Sequence, residues 1–120
     1  MARLMAVPIV LSLALAACGS RPAGTPGAAP ADVVVETATG SALMFVPASP
    51  HAAAASHIVL VFRNRSSLPH NLTFSILGAR TDTIVSPGGS QTIEVNVPGP
   101  GSYPFVCTIH PGMQGALLVR

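Results

Sequence analysis

The sequence predicts an all-β domain, a two-sheet Greek-key sandwich of about seven to eight strands. Three observations predict it. From Asp32 onward, short runs rich in Val, Ile, Thr and Phe alternate with Pro/Gly punctuation, the pattern of strands bounded by turns. Within the runs, apolar and polar residues alternate with period two, as in Ile93, Val95 and Val97 against Thr92, Glu94 and Asn96; that period marks a half-buried strand. No stretch carries a convincing helical stripe, and the roughly 89 residues from 32 to 120 suffice for one small domain and not two.

The chain before Asp32 stands outside this domain. Arg3 precedes an apolar run, residues 4–17, that ends in Leu15-Ala16-Ala17-Cys18. The run is short of the about 20 apolar residues a membrane span needs. With its positive start and small residues before the break it describes an export signal, so residues 1–17 are expected to be a signal peptide. The Leu-Ala-Ala-Cys ending resembles the lipobox of bacterial lipoproteins. That resemblance implies Cys18 as the lipidated first residue of the mature chain, and a bacterial membrane as its anchor. Residues 18–31 continue as GSRPAGTPGAAPA after the cysteine, Pro, Gly and Ala without periodicity, a linker that cannot bury a core. Partly extended, it would reach roughly 40 Å from the anchor.

Within residues 32–120, strands are expected at 33–38, 43–46, 57–63, 71–77, 91–97, 102–107 and 116–120, with turns at 86–90 and 98–101. Each strand is rich in the β-branched and aromatic residues that fit a pleated surface. Residues 47–56 contain four consecutive alanines and read as an ordered loop in preference to a helical turn. Parity orients the strands. Leu72, Phe74 and Ile76 share one side, and His70 falls in register with them. Tyr103, Phe105 and Cys107 likewise share a side, so His70 and Cys107 both point inward at one end of the sandwich.

Composition bounds the function. Six Arg, no Lys and four acids leave a formal net charge of +2, with no basic stripe for nucleic acid and no acidic patch for a cationic partner. With Cys18 assigned to lipid, Cys107 is the one cysteine of the exported domain, and an odd thiol there points to a reactive or metal-bound sulfur. An isolated Cys in a β domain is usually a small buried hydrophobe, and an isolated Met usually fills core space. Here Cys107-Thr-Ile-His110-Pro-Gly-Met113 stands downstream of Leu-Pro-His70-Asn. One thiolate, two imidazoles and one thioether are the donors of a trigonal His2Cys metal site with a weak axial Met. His51 and His57 lack any such context and read as surface residues. Met44 reads as core in preference to ligand.

The matching segments are Val59-Leu-Val-Phe-Arg-Asn64, Leu68-Pro-His-Asn71, Ser86-Pro-Gly-Gly-Ser90 and Gly101-Ser-Tyr-Pro-Phe-Val-Cys-Thr-Ile-His-Pro-Gly-Met113, with Gly115 and Val119 in the closing strand. From about Leu43 to Arg120 the chain resembles the cupredoxins, the plastocyanin, pseudoazurin and amicyanin family. The two-residue His-to-Met gap is as in amicyanins. The resemblance implies one copper ion, Cu(I)/Cu(II), held by His70, Cys107 and His110 with Met113 axial. It implies that Asn71 braces the ligand loop and helps place a backbone amide near the thiolate, and that Thr108 makes a hydrogen bond on the other side. It also implies a monomeric carrier of single electrons, which with the lipobox-like ending would be extracytoplasmic and lipid-anchored, on the periplasmic side or the cell surface. A saturated copper leaves no open position for substrate, so no enzyme activity is expected. Partners would be redox proteins such as c-type cytochromes, oxidases or dehydrogenases. They would dock by apolar contact at the edge of His110, framed by Pro111 and Gly112. Plant plastocyanins expose a tyrosine before the ligand cysteine; Val106 stands there, and a second electron port is not expected. The alternative reading is a periplasmic copper-binding or delivery protein.

Overall fold

The computed structural model describes residues 30–120, so the expected signal peptide, Cys18 and nearly all of the linker lie outside the described residues. The chain forms β1 (Val33–Thr37), β2 (Phe45–Val46), β3 (His51–Ala52), β4 (His57–Arg63), β5 (Thr73–Phe74), β6 (Ser90–Asn96), β7 (Gly101–Val106) and β8 (Gln114–Val119). They make two four-stranded mixed sheets, ordered β2-β1-β4-β6 and β3-β8-β7-β5. β1 runs parallel to β4 and β3 parallel to β8, while the other pairs are antiparallel. There is no helix among the described residues. The predicted all-β two-sheet sandwich is the architecture found.

The core lies between the sheets, and alternation builds it. Ile58, Leu60 and Phe62 of β4, Ile93 and Val95 of β6, and Tyr103 and Phe105 of β7 are all buried. Phe105 is the hub: its ring meets Phe45 edge-on at 5.0 Å and Phe74 at 5.5 Å, and Phe45 continues to Phe62 at 6.1 Å. Offset and edge-on aromatic contacts of this kind add roughly 0.5–1.5 kcal/mol each beyond area burial. The closing strand passes Phe105 at Gly115. A Cβ on that glycine would stand 2.6 Å from the Phe105 ring and from the Ala48 carbonyl oxygen.

Three expectations are corrected. The strand expected at 71–77 is only Thr73–Phe74, because the chain folds back at once: Phe74 N–H donates to the Ala79 carbonyl at 2.9 Å, Thr73 pairs with Arg80, and Gly78 takes a left-handed φ of 70°. Ile76 therefore sits at a turn and is 68% exposed, not inward with Leu72 and Phe74. The loop at 47–56 contains a short strand, β3, that crosses to the second sheet and pairs with β8. Ala48, Pro50 and Ala52 carbonyls accept the N–H groups of Ala116, Leu118 and Arg120. A segment of Ala and Pro has no strand propensity of its own; the edge of β8 supplies it. Met44 is 57% exposed and not core, since Phe45 points inward and its neighbour must point out.

Candidate metal centre

β4, β7 and the turns between the elements bring the predicted residues to one end of the sandwich. Cys107 follows β7 directly and continues its inward parity, 4% exposed. His70 follows the Leu68-Pro69 step; its N–H and C=O exchange hydrogen bonds with Val85 at 3.1 and 2.7 Å, and the side chain is 0% exposed. His110 and Met113 lie on the turn between β7 and β8. That turn is closed by Cys107 N–H donating to the Met113 carbonyl at 3.0 Å and Met113 N–H to the His110 carbonyl at 3.2 Å. Gly112, at φ 86°, supplies the left-handed residue this tight return needs.

The thiol faces two imidazoles. Cys107 Sγ lies 3.8 Å from Nδ1 of His70 and 3.5 Å from Nδ1 of His110, and the rings stand 4.6 Å apart between centroids. One donor atom from each residue falls within 4.8 Å of the others. A first-row ion held at about 2.0–2.1 Å from nitrogen and about 2.3 Å from sulfur in a trigonal plane spans a nitrogen–sulfur edge of about 3.8 Å. The three donors therefore fit one ion with little movement. Burial, and secondly the neighbouring His110, hold the His70 imidazole below the ordinary histidine range. A neutral ring is the form that ligates. Met113 is 2% exposed and packs in the same buried cluster as Cys107.

Asn71 and Thr108 brace each other. The Asn71 side-chain N–H donates to Thr108 Oγ1 at 2.6 Å, and Thr108 N–H donates to Asn71 Oδ1 at 2.8 Å. Each residue follows a predicted ligand, so the pair ties the His70 segment to the Cys107 segment. Among the described residues the polar contacts of Sγ are the two imidazoles; the backbone amide expected near the thiolate is not among them. His110 is partly exposed, flanked by exposed Ile109, Pro111 and Gly112, and Val106 is half-buried beside Thr73. His51 and His57 are both exposed and away from the cluster, His57 pairing with Asn96 Oδ1 at 3.1 Å.

Asn64 is a residue of the site with no role legible in the sequence. It is 1% exposed and in step with Ile58, Leu60 and Phe62, so a polar residue at a core parity was the signal that could have found it.

A two-sheet β-sandwich with one thiol and two imidazoles converging at its end is the design of a cupredoxin. The family model for the cupredoxin-like domain matches residues 7–119, and the chain belongs to that family. Amicyanin-alpha of Methylorubrum extorquens is 32% identical over 63 residues, 51% of this chain and 53% of the relative. The minor chloroplastic plastocyanin of Arabidopsis thaliana is 33% identical over 101 residues, 74% of this chain and 57% of the relative. The chain thus spans little more than half the length of these relatives. Among solved structures, a variant fern plastocyanin superposes with a TM-score of 0.61 at 27% identity, covering 72% of this chain and 99% of that one. The dithionite-reduced auracyanin of Roseiflexus castenholzii gives 0.62 at 23% identity, covering 78% and 99%, a likeness of fold.

Proposed function

We propose that the protein is a type 1 copper protein that carries single electrons between extracytoplasmic redox partners, tethered to a bacterial membrane through lipid on Cys18. One observation carries the reading: Cys107, His70 and His110 present one sulfur and two nitrogens to a common point at the end of a closed sandwich. Copper supplies the one-electron change when bound. His70, Cys107 and His110 would hold it, with Met113 as the weaker thioether donor. The chain's own contribution is rigidity. His70 is packed in the core, Cys107 and Met113 are buried, and the Asn71–Thr108 pair joins the two ligand segments. Donors that stay where they are in both oxidation states keep the reorganisation small.

His110 is the member of the set that reaches solvent, and its exposed flank of Ile109, Pro111 and Gly112 gives partners an apolar landing next to the metal. Burial favours a carrier over a delivery protein: His70, Cys107 and Met113 are enclosed in the core, which suits a metal that is kept and not handed on. The test is the absorption spectrum of the domain with one equivalent of Cu(II). An intense visible thiolate charge-transfer band is expected, abolished in Cys107→Ser; a colourless wild-type complex overturns the reading.

A further inference from the structure

His70 poses a positional problem. A metal-ligating histidine usually donates its other ring N–H to a carboxylate or carbonyl, which fixes the ring. Here Nε2 of His70 is buried and has no hydrogen-bond partner among the described residues. Control of the ring therefore passes to its backbone and packing, and one side chain holds a carbonyl on each of the two segments that position that backbone.

Asn64 directly follows β4 and spends its whole amide inside the protein. Its Nδ2 donates to the Leu68 carbonyl and to the Val85 carbonyl, both at 2.8 Å. Its Oδ1 accepts from Thr37 Oγ1–H and from the Ser66 N–H, both at 3.0 Å. Two donors and two acceptor sites are the full capacity of a carboxamide. The two carbonyls it holds bracket His70. Leu68 lies two residues upstream, across Pro69, and Val85 O also accepts the His70 N–H at 3.1 Å. Asn64 and His70 thus share one acceptor oxygen. On its far side the amide rests on Thr37, whose hydroxyl also accepts the Arg65 and Ser66 N–H groups at 2.8 and 2.9 Å. Asn64, Thr37 and Ser66 are all buried, so the geometry of the amide is set by the fold and not by solvent.

We propose that Asn64 is the positioning residue of His70, its side-chain amide setting through Leu68 and Val85 where the His70 imidazole stands relative to Cys107. The inference rests on the copper reading for its consequence in the loaded protein, while the clamp itself acts in the metal-free chain. A merely structural asparagine would stabilise the whole domain; a clamp acts on the His70–Val85 pair in particular.

The test compares Asn64→Ser with Thr37→Val, a change that removes the hydroxyl on the far side of the network and leaves both carbonyl contacts in place. In the metal-free protein, amide hydrogen exchange at His70 and Val85 is expected to rise at least tenfold relative to the β4–β6 ladder in Asn64→Ser. In Thr37→Val those two amides should move only with the rest. With copper, Asn64→Ser should bind roughly 10–100-fold more weakly, the range for partners that orient a ligand, and should shift the charge-transfer band and the reduction potential; Thr37→Val should shift neither. Equal exchange patterns in the two variants overturn the proposal. Should Asn64→Ser not fold, the wild type decides: couplings across the hydrogen bonds from the Asn64 side-chain N–H groups to the Leu68 and Val85 carbonyl carbons are expected, and their absence overturns the clamp. A colourless copper complex with the exchange pattern intact fails the copper reading and not the clamp.

Discussion

Cys107 Sγ and His70 Nδ1 stand 3.8 Å apart across a sequence separation of 37 residues. The first is delivered by the inward parity of β7, the second by a segment paired to Val85. No covalent or local constraint joins them. Their meeting is a property of the packed sandwich, which brings the two donors together across the sheets.

Burial of His70 makes the metal-free protein sensitive to acid. The folded state holds His70 below its ordinary value, mainly through burial, whereas the unfolded chain takes up that proton at about 6.5. Below about 6.5 the unfolded state binds a proton that the folded state refuses. The stability is thus complete above that pH, falls as pH drops toward the lower folded value, and levels off beneath it. Denaturant midpoints of the metal-free protein between neutral pH and acid should show this fall, and His70→Gln should flatten it. An identical slope in the variant would show that His70 is not its source.

Met113 is expected to tune the potential. A thioether at a weak axial position favours the reduced ion, and an oxygen donor favours the oxidised one. Met113→Gln should keep the visible band and lower the reduction potential measured by spectroelectrochemistry. A potential that rises or holds still removes Met113 from the axial role.

Gly115 is a packing prediction independent of metal. Its missing Cβ leaves room for the Phe105 ring and the Ala48 carbonyl, each of which would stand 2.6 Å away. Neither is the flexible end of a side chain, so Gly115→Ala should cost about 1–3 kcal/mol, the range for an overpacked core. A lower urea midpoint at unchanged slope is the signature. A neutral substitution would mean that the β7–β8 contact relaxes freely.

The anchor is tested at Cys18. Several acyl chains hold a protein stably where a single chain does not. Cys18→Ser should release the domain into the soluble fraction or leave the signal uncleaved. Wild-type protein extracted without detergent would contradict the lipid assignment.

The sequence by itself determined the fold class, the inward parity of β6 and β7, the surface placement of His51 and His57, and the four residues offered as ligands. These are carried by period-two alternation and by side-chain chemistry, both of which are local. Tertiary structure decided what depends on a distant partner. His51 and Ala52, in a stretch of alanine and proline, become a strand because β8 offers an unpaired edge. Ile76 leaves the core because the chain turns back at Gly78. Asn64 gains a role only when its amide is seen holding Leu68 and Val85 beside His70. Local patterns report which way a side chain points, whereas hydrogen-bond partners far along the chain are chosen only when the sheets close.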